Sequence, residues 1–337
     1  MHGLATGLQL ARIPFAEASP LARAAEDAGF SKVTVGDNMT EGFTLVGALG
    51  AVTRTAQIHT SIVTWTRTPV LTALAAMTAA ELTGGRFGLG LGTMPQAWSE
   101  DFHGIPYANP VGRMRDFIGA VRAALGASAD SPANHSGPFY TIRGYRPLQP
   151  PTEHRIPITL GVIRPKMSQL AGEIADGVCL DSMHSVEWTR DVLLPRMEAG
   201  LAASGRTRAD FEIGAAVISA IADDPREALD MARRTIAFYL ITPYLRDVMA
   251  HHDASAAYDR GVEALRRGDR EAAFRAIPDE VVEAIAVTGT PEQYIEKLRR
   301  YVGVADWVRL SPAHSNPLPV IIAQAKRIVE TVAAAGA

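Results

Sequence analysis

The run Gly161-Val-Ile-Arg-Pro-Lys-Met-Ser168 carries the densest local signal for chemistry in the chain. Apolar residues pass into a helical pattern with Pro165 near its start, where the missing N–H is not needed. Free N–H groups of a first helical turn, with Arg164 and Lys166 beside them, would make a phosphate site. The same residues also fit an ordinary turn with two solvated cations. Asp37 closes the run Val33-Thr-Val-Gly36, and its carboxylate could accept bonds from a ligand or from a neighbouring loop. Trp65 and Trp98 offer flat faces to a planar ligand, against the commoner role of packing. His184 and His314 follow apolar runs, where an imidazole could move a proton. His103, His135, His154, His251 and His252 lie in irregular or extra segments, and surface exposure is expected for the last two. No His-Glu-x-x-His spacing occurs, so no metal is expected. No Gly-x-Ser-x-Gly elbow occurs, which weighs against acyl hydrolysis.

A repeated unit positions these groups. A helix rich in Ala and Leu ends at a glycine, and a short apolar strand follows. Residues 21–28 end at Gly29 before a strand over 32–36, and residues 74–82 end at Gly84-Gly85 before 86–92. Residues 167–175 end at Asp176-Gly177 before 178–181, and residues 294–302 end near Gly303 before 307–310. Glycine past a helix end supplies the left-handed conformation. Helix starts are predicted at Ser19-Pro20, Asp224-Pro225 and Thr290-Pro291, the last two with capping-box spacing. Strands over 4–10, 60–64, 156–162 and 211–221 bring the number to eight.

This alternation predicts an α/β fold. Eight units in 337 residues favour a single (β/α)8 TIM barrel over an open doubly wound sheet. No Gly-x-Gly-x-x-Gly turn follows the first strand. One domain is expected over residues 1–337, with an irregular insertion at about 127–155 and a helical insertion at about 243–287. The first contains a predicted hairpin around residues 139–142. The second follows the seventh strand, and would cover the strand ends or form a subunit contact. Functional groups of such a barrel gather at the C-terminal ends of its strands. The candidates there are Asp37-Asn38, Thr64-Trp65, 93–100, 162–166, 181–184 and 309–314.

Composition narrows the function classes. Hydrophobic residues are 47%, enough for one large core. Basic residues number 33 against 36 acidic, and a net charge of −3 gives no electrostatic case for nucleic acid or an anionic membrane. Cys179 is the single cysteine, so no intrachain disulfide can form, which fits a reducing compartment. It sits in the apolar run 177–180 and reads as a buried core residue. The first fifteen residues lack a basic region followed by an apolar stretch, and no run approaches a membrane span. A cytoplasmic protein is expected.

The order of motifs resembles the bacterial luciferase-like superfamily, and within it the branch using the deazaflavin coenzyme F420. The motifs are Ala24-Ala-Glu-Asp-Ala-Gly-Phe30 leading to Asp37, Thr60-Ser-Ile-Val-Thr64 with Arg67-Thr-Pro69, and Leu82-Thr-Gly-Gly-Arg-Phe-Gly-Leu-Gly-Leu-Gly92. Arg113-Met-Arg115 and Pro165-Lys-Met with Ala171-Gly-Glu-Ile-Ala-Asp-Gly177 complete the set.

The resemblance implies an F420-dependent oxidoreductase that moves a hydride to or from a small organic substrate. It implies that Asp37 bonds the ring system and that Ser61-Ile62, with Thr64 beyond it, forms a bulge with a non-prolyl cis peptide behind the ring. Gly161, Val162, Ile163, Arg164, Pro165, Lys166 and Met167 would wrap the coenzyme phosphate; Trp65 and Trp98, read from residue type alone, are the candidates for binding substrate. A homodimer is a further implication. Many relatives carry a histidine where this chain has Asn38, which can hydrogen-bond but cannot shuttle a proton near neutral pH. Glu100, His184 or a water is left as proton donor. The loop 93–100 lacks a match to the glutamate of the sugar-phosphate dehydrogenases, which disfavours glucose-6-phosphate as substrate. The alternatives are an FMN-dependent monooxygenase served by a flavin reductase, and a non-catalytic flavin-binding barrel.

Overall fold

The structure is a computed structural model and describes residues 4–37, 40–148 and 152–336. Eight parallel strands close on themselves. They are β1 (Ala5–Gln9), β2 (Lys32–Val35), β3 (Gln57–Thr60), β4 (Phe87–Gly92), β5 (Ile158–Val162), β6 (Gly177–Leu180), β7 (Glu212–Ile221) and β8 (Trp307–Pro312). Each pairs with the next, and β8 pairs back to β1 through Gly7 opposite Arg309. The outer ring holds α1 (Phe15–Asp27), α2 (Gly42–Gly50), α3 (Pro69–Leu82), α4 (Pro110–Leu125), α5 (Pro165–Ile174), α6 (Leu194–Ala203), α7 (Pro225–Phe238) and α8 (Leu318–Gly336). The predicted barrel is therefore the observed fold.

Local chemistry sets the boundaries. Thr290 and Gln293 form the predicted capping box, whereas Asp224 caps α7 through Arg226 N without the reciprocal bond. Ser19-Pro20 does not start a helix: α1 begins at Phe15. Pro20 is tolerated inside it because Ala16, whose carbonyl loses its partner, is exposed. Gly29 and Gly303 take the expected positive φ, of 84° and 79°. Gly177 does not. It is needed because a Cβ there would lie 2.4 Å from the Glu212 carbonyl oxygen across the β6–β7 ladder.

Both insertions are present. Residues 133–136 and 141–145 pair as an antiparallel hairpin along α4, where Asp116 accepts from Phe139 N and Tyr140 N at 2.7 and 2.8 Å. Four short helices between Tyr244 and Ile285 follow α7, then a strand, Ala286–Gly289, that pairs only with the outer half of β7. That strand was not predicted; the expected helical insertion ran to about residue 287.

The barrel lumen is lined by small and polar residues. Gly7, Gly88 and Gly214 make room for the rings of Trp307 and His59, which fill the N-terminal end. There Lys32 donates to Gln57 at 2.8 Å and Glu212 at 2.9 Å, and its ammonium lies 5.1 Å from the Trp307 ring centre. Burial, helped by Lys32, pushes the His59 imidazole down to about 3. These side chains fill the N-terminal end beneath a surface cleft that Lys32, Gln57, His59, Thr159 and Glu212 line; the opposite end, where Gln9, Ser61, Asp181 and Arg309 keep partial exposure, is the mouth.

Candidate functional site

Inward-facing residues alternate along each strand, so parity decides what the open mouth contains. From β1 comes Gln9, from β6 Asp181, and from β8 Arg309, all half-buried. Just past β3, Ser61 and Ile62 are half-buried too, while Val63 and Thr64 return to the sheet and pair with β4 at Leu91 and Gly92. The Ser61–Ile62 peptide is cis, as the resemblance implied. Three glycines cradle it. A Cβ on Gly36 would lie 2.8 Å from Ile62 N and O; one on Gly92 would meet the Ile62 side chain at 2.4 Å; one on Gly161 would meet it at 3.0 Å.

Asp37 ties the loops around this segment. Its Oδ1 accepts from Gly42 N at 3.0 Å, and its Oδ2 accepts from Thr64 N at 3.2 Å and from Arg67. The backbone N–H of Asp37 donates to the Ile62 carbonyl at 2.9 Å. Of the two readings open in the sequence, the neighbouring-loop role is the one these bonds express. Asn38 lies outside the described residues.

The turn from β5 into α5 leaves the first helical turn without a side-chain cap. Arg164 is extended at the cap, and Pro165 occupies the first helical position. Arg164 and Lys166 are exposed; Gly161, Ile163 and Pro165 are half-buried; Val162 and Met167 are buried. His184 holds this turn. Its Nε2 lies 3.0 Å from the Ile163 carbonyl, and since a carbonyl only accepts, Nε2 carries the proton. Burial keeps the ring neutral, outweighing nearby Asp181, and Nδ1 is buried without a partner. His184 thus orients the turn.

Three more predicted residues lie in the loops after the β3 segment and β4. Glu100 is exposed and accepts from Tyr107 N at 3.0 Å, which closes its own loop. Trp65 is 1% exposed; Tyr107 packs on it at 5.5 Å and the Arg113 guanidinium covers it at 5.3 Å. Packing, not ligand stacking, is its role in this structure. Trp98 keeps partial exposure and stacks on Phe102 at 5.9 Å.

A second polar group at the mouth joins the candidate segments 181–184 and 309–314 to Tyr239 and Tyr244, which sequence reasoning missed. Asp181 Oδ1 accepts from the Tyr244 hydroxyl at 2.8 Å and from Met183 N at 2.9 Å, and Oδ2 has no partner among the described residues. The Tyr239 ring meets His314 edge-on at 5.7 Å, and Arg12 donates to the His314 carbonyl at 3.0 Å. Burial and the Asp181 carboxylate push the Tyr239 phenol well up, so it stays protonated. Burial, with Arg12 and Arg309, pushes His314 down to about 4. The end of α7 delivers Tyr239 and the start of the helical insertion delivers Tyr244, together a cover over the β6–β8 side. His252 adds a bond to Ser185 Oγ at 2.8 Å, so it is not simply exposed as expected. Among the described residues no group of side chains fits a metal ion.

The family model for luciferase-like monooxygenases matches residues 2–306. The chain belongs to this family. A Mycobacterium tuberculosis protein named "Putative coenzyme F420-dependent oxidoreductase" is 30% identical, covering 90% of this chain and 92% of its own length. A 5,10-methylenetetrahydromethanopterin reductase of Archaeoglobus fulgidus is 28% identical over 86% of this chain and 87% of its own. Among solved structures, the coenzyme F420-dependent tetrahydromethanopterin reductase of Methanopyrus kandleri aligns with a TM-score of 0.80 at 19% identity, covering 98% and 97% of the two chains, which supports the barrel fold. This luciferase-like chain is accordingly an oxidoreductase by family. No helix among its described residues is long and apolar enough to cross a membrane.

Proposed function

We propose that the chain is a coenzyme F420-dependent oxidoreductase acting on a small organic substrate at the open mouth. The observation that carries the reading is the Ser61–Ile62 segment, seated in its glycine cradle and facing the mouth, one barrel wall away from the uncapped α5 turn. Flat ring and anionic tail find a matching floor and a matching cationic turn. When bound, the coenzyme supplies a carbon that gives or takes a hydride. Gly161 to Met167 would hold its phosphate, with Arg164 and Lys166 as counter-charges and His184 fixing the turn. Asp37, through Thr64 and Arg67, keeps the Ser61–Ile62 floor in place. On the substrate side, Tyr239 holds a proton on its phenol and Asp181 presents a free carboxylate oxygen, in place of the proton donors expected from sequence.

A homodimer belongs to the same reading. Leu71, Leu74 and Leu82 of α3 are 54%, 41% and 59% exposed, and Thr78 lies exposed on the same helical face. This mostly apolar stripe, bordered by Glu81, suits a second copy.

Titration of the purified chain with F420 and with FMN, each oxidised and reduced, tests the assignment. Selective F420 binding is expected. Tight FMN binding without an F420 response would move the chain to the FMN monooxygenases and their flavin reductase partner. Turnover of reduced coenzyme with enones, imines and aldehydes separates an enzyme from a binding barrel.

A further inference from the structure

Arg309 has no part in the reading above, and its surroundings are unusual for a half-buried cation. It stands on β8 with Gly7 of β1 and Ala216 of β7 beside it, neither large enough to cover it. Its Nη1 donates to the Ser61 carbonyl at 3.2 Å and to the Ser61 hydroxyl, and lies 3.3 Å from Cys179 Sγ. All three acceptors are uncharged, and Nε is buried without a partner. Lys32 is matched with Glu212 and Arg67 with Asp37 and Glu41, while Arg12, on the His314 carbonyl, also lacks a carboxylate among the described residues. Arg309 pairs with no carboxylate among the described residues. A guanidinium held partly out of water without a counter-charge costs stability. The same arrangement is a fixed positive potential aimed at whatever negative charge enters the mouth.

We propose that Arg309 is a positioning residue that biases the bound coenzyme toward its reduced, hydride-carrying form. The proposal rests on the coenzyme reading above. A hydride reaching the ring brings two electrons and one proton, so one C–H bond breaks on the substrate, one forms on the ring, and the ring gains one negative charge. The reverse transfer returns that charge, and a substrate atom takes a proton from the mouth or from water. Arg309 exchanges nothing in either direction. Its bond to the Ser61 carbonyl fixes its charge to the segment that forms the floor of the mouth, where it lowers the free energy of the more negative form.

The test compares dissociation constants of oxidised and reduced F420, measured anaerobically by calorimetry, for the unmodified chain, Arg309→Met and Arg309→Lys. The ratio of the two constants is internal to each variant, so partial loss of folded protein cancels. Removing the charge in Arg309→Met is expected to weaken the reduced form relative to the oxidised form by about tenfold or more, and Arg309→Lys is expected to retain most of the unmodified ratio. Equal weakening of both forms, or a lysine variant as altered in ratio as the methionine one, would mean a structural role and overturn the proposal. Normal binding with an unchanged ratio in Arg309→Met overturns it alone. Failure of the unmodified chain to bind either form overturns the coenzyme reading and this proposal with it.

Discussion

Gly36→Ala tests whether the floor of the mouth is held by contact with the end of β2. Gly36 has an ordinary backbone conformation, so alanine meets no φ penalty, and the effect is purely steric. The added Cβ would lie 2.8 Å from Ile62 N and O and 2.9 Å from Ser61 C, all backbone atoms that cannot rotate away. Relief requires the Ser61–Ile62 backbone to move by roughly 0.5 Å, and overpacking of this kind costs about 1–3 kcal/mol. The movement also stretches the Asp37 N to Ile62 O bond, now 2.9 Å, with a loss of about 1 kcal/mol. Urea unfolding should show a total loss of about 2–4 kcal/mol at unchanged m-value. F420 titration should show weakened binding of the fraction still folded. Gly47→Ala is the control: its Cβ meets only Leu82 Cδ1, at 3.3 Å, on the exposed side of α2. Helix propensity favours alanine there by up to about 1 kcal/mol. If Gly36→Ala matched the control in both stability and coenzyme affinity, the cradle would have no role.

Three further outcomes are expected. Tyr239→Phe should leave coenzyme affinity intact and lower kcat on any substrate turned over by about tenfold or more, by removing the phenolic proton; an unchanged kcat would remove Tyr239 from the mechanism. Glu26 is 5% exposed at its side chain; burial opposes its ionisation, but bonds from Ala56, Thr55 and Arg54 win and hold its carboxyl at about 2. A folded value below the unfolded 4.5 means stability present above pH 4.5 and lost as pH falls toward 2, by about 3 kcal/mol, and Glu26→Gln should flatten that part of the pH–stability curve. Leu74→Arg, which puts a charge in the middle of the exposed α3 stripe, should give a monomer in light scattering with unchanged circular dichroism; a dimer that persists would place the subunit contact elsewhere.

The eight strands could be read because each is a short apolar run bounded by glycine or polar residues, and the β3 segment because Thr60-Ser-Ile-Val-Thr64 is a compact motif. The candidate coenzyme groups could be named for the same reason: Asp37, Ser61-Ile62 and residues 161–167 are local in sequence. The tyrosines proposed for the substrate side could not. Tyr239, at the end of α7, meets His314, and Tyr244, at the start of the insertion, bonds Asp181; no local pattern encodes either meeting. Arg309 did leave a signal. In the strand 307–311 it is inward by parity with Trp307, and a cation at an inward position of a buried parallel strand calls for a partner. Trp65 misled because a tryptophan after a strand looks available, whereas the cover on it comes from Tyr107 and Arg113, more than forty residues away in sequence.

The short strand at Ala286–Gly289 returns the insertion to the outer half of β7 without entering the barrel wall. The stretch from α7 through the insertion thereby leaves from the end of β7 and returns to its side, like a patch sewn to one panel of a garment. Selection can re-cut such a patch, changing helix lengths and the groups it hangs over the mouth, while the seams of the barrel stay closed. Relatives built this way can diverge in what they act on without relearning how to hold a coenzyme, and a laboratory exchange of residues 239–290 between two of them is the corresponding experiment in design.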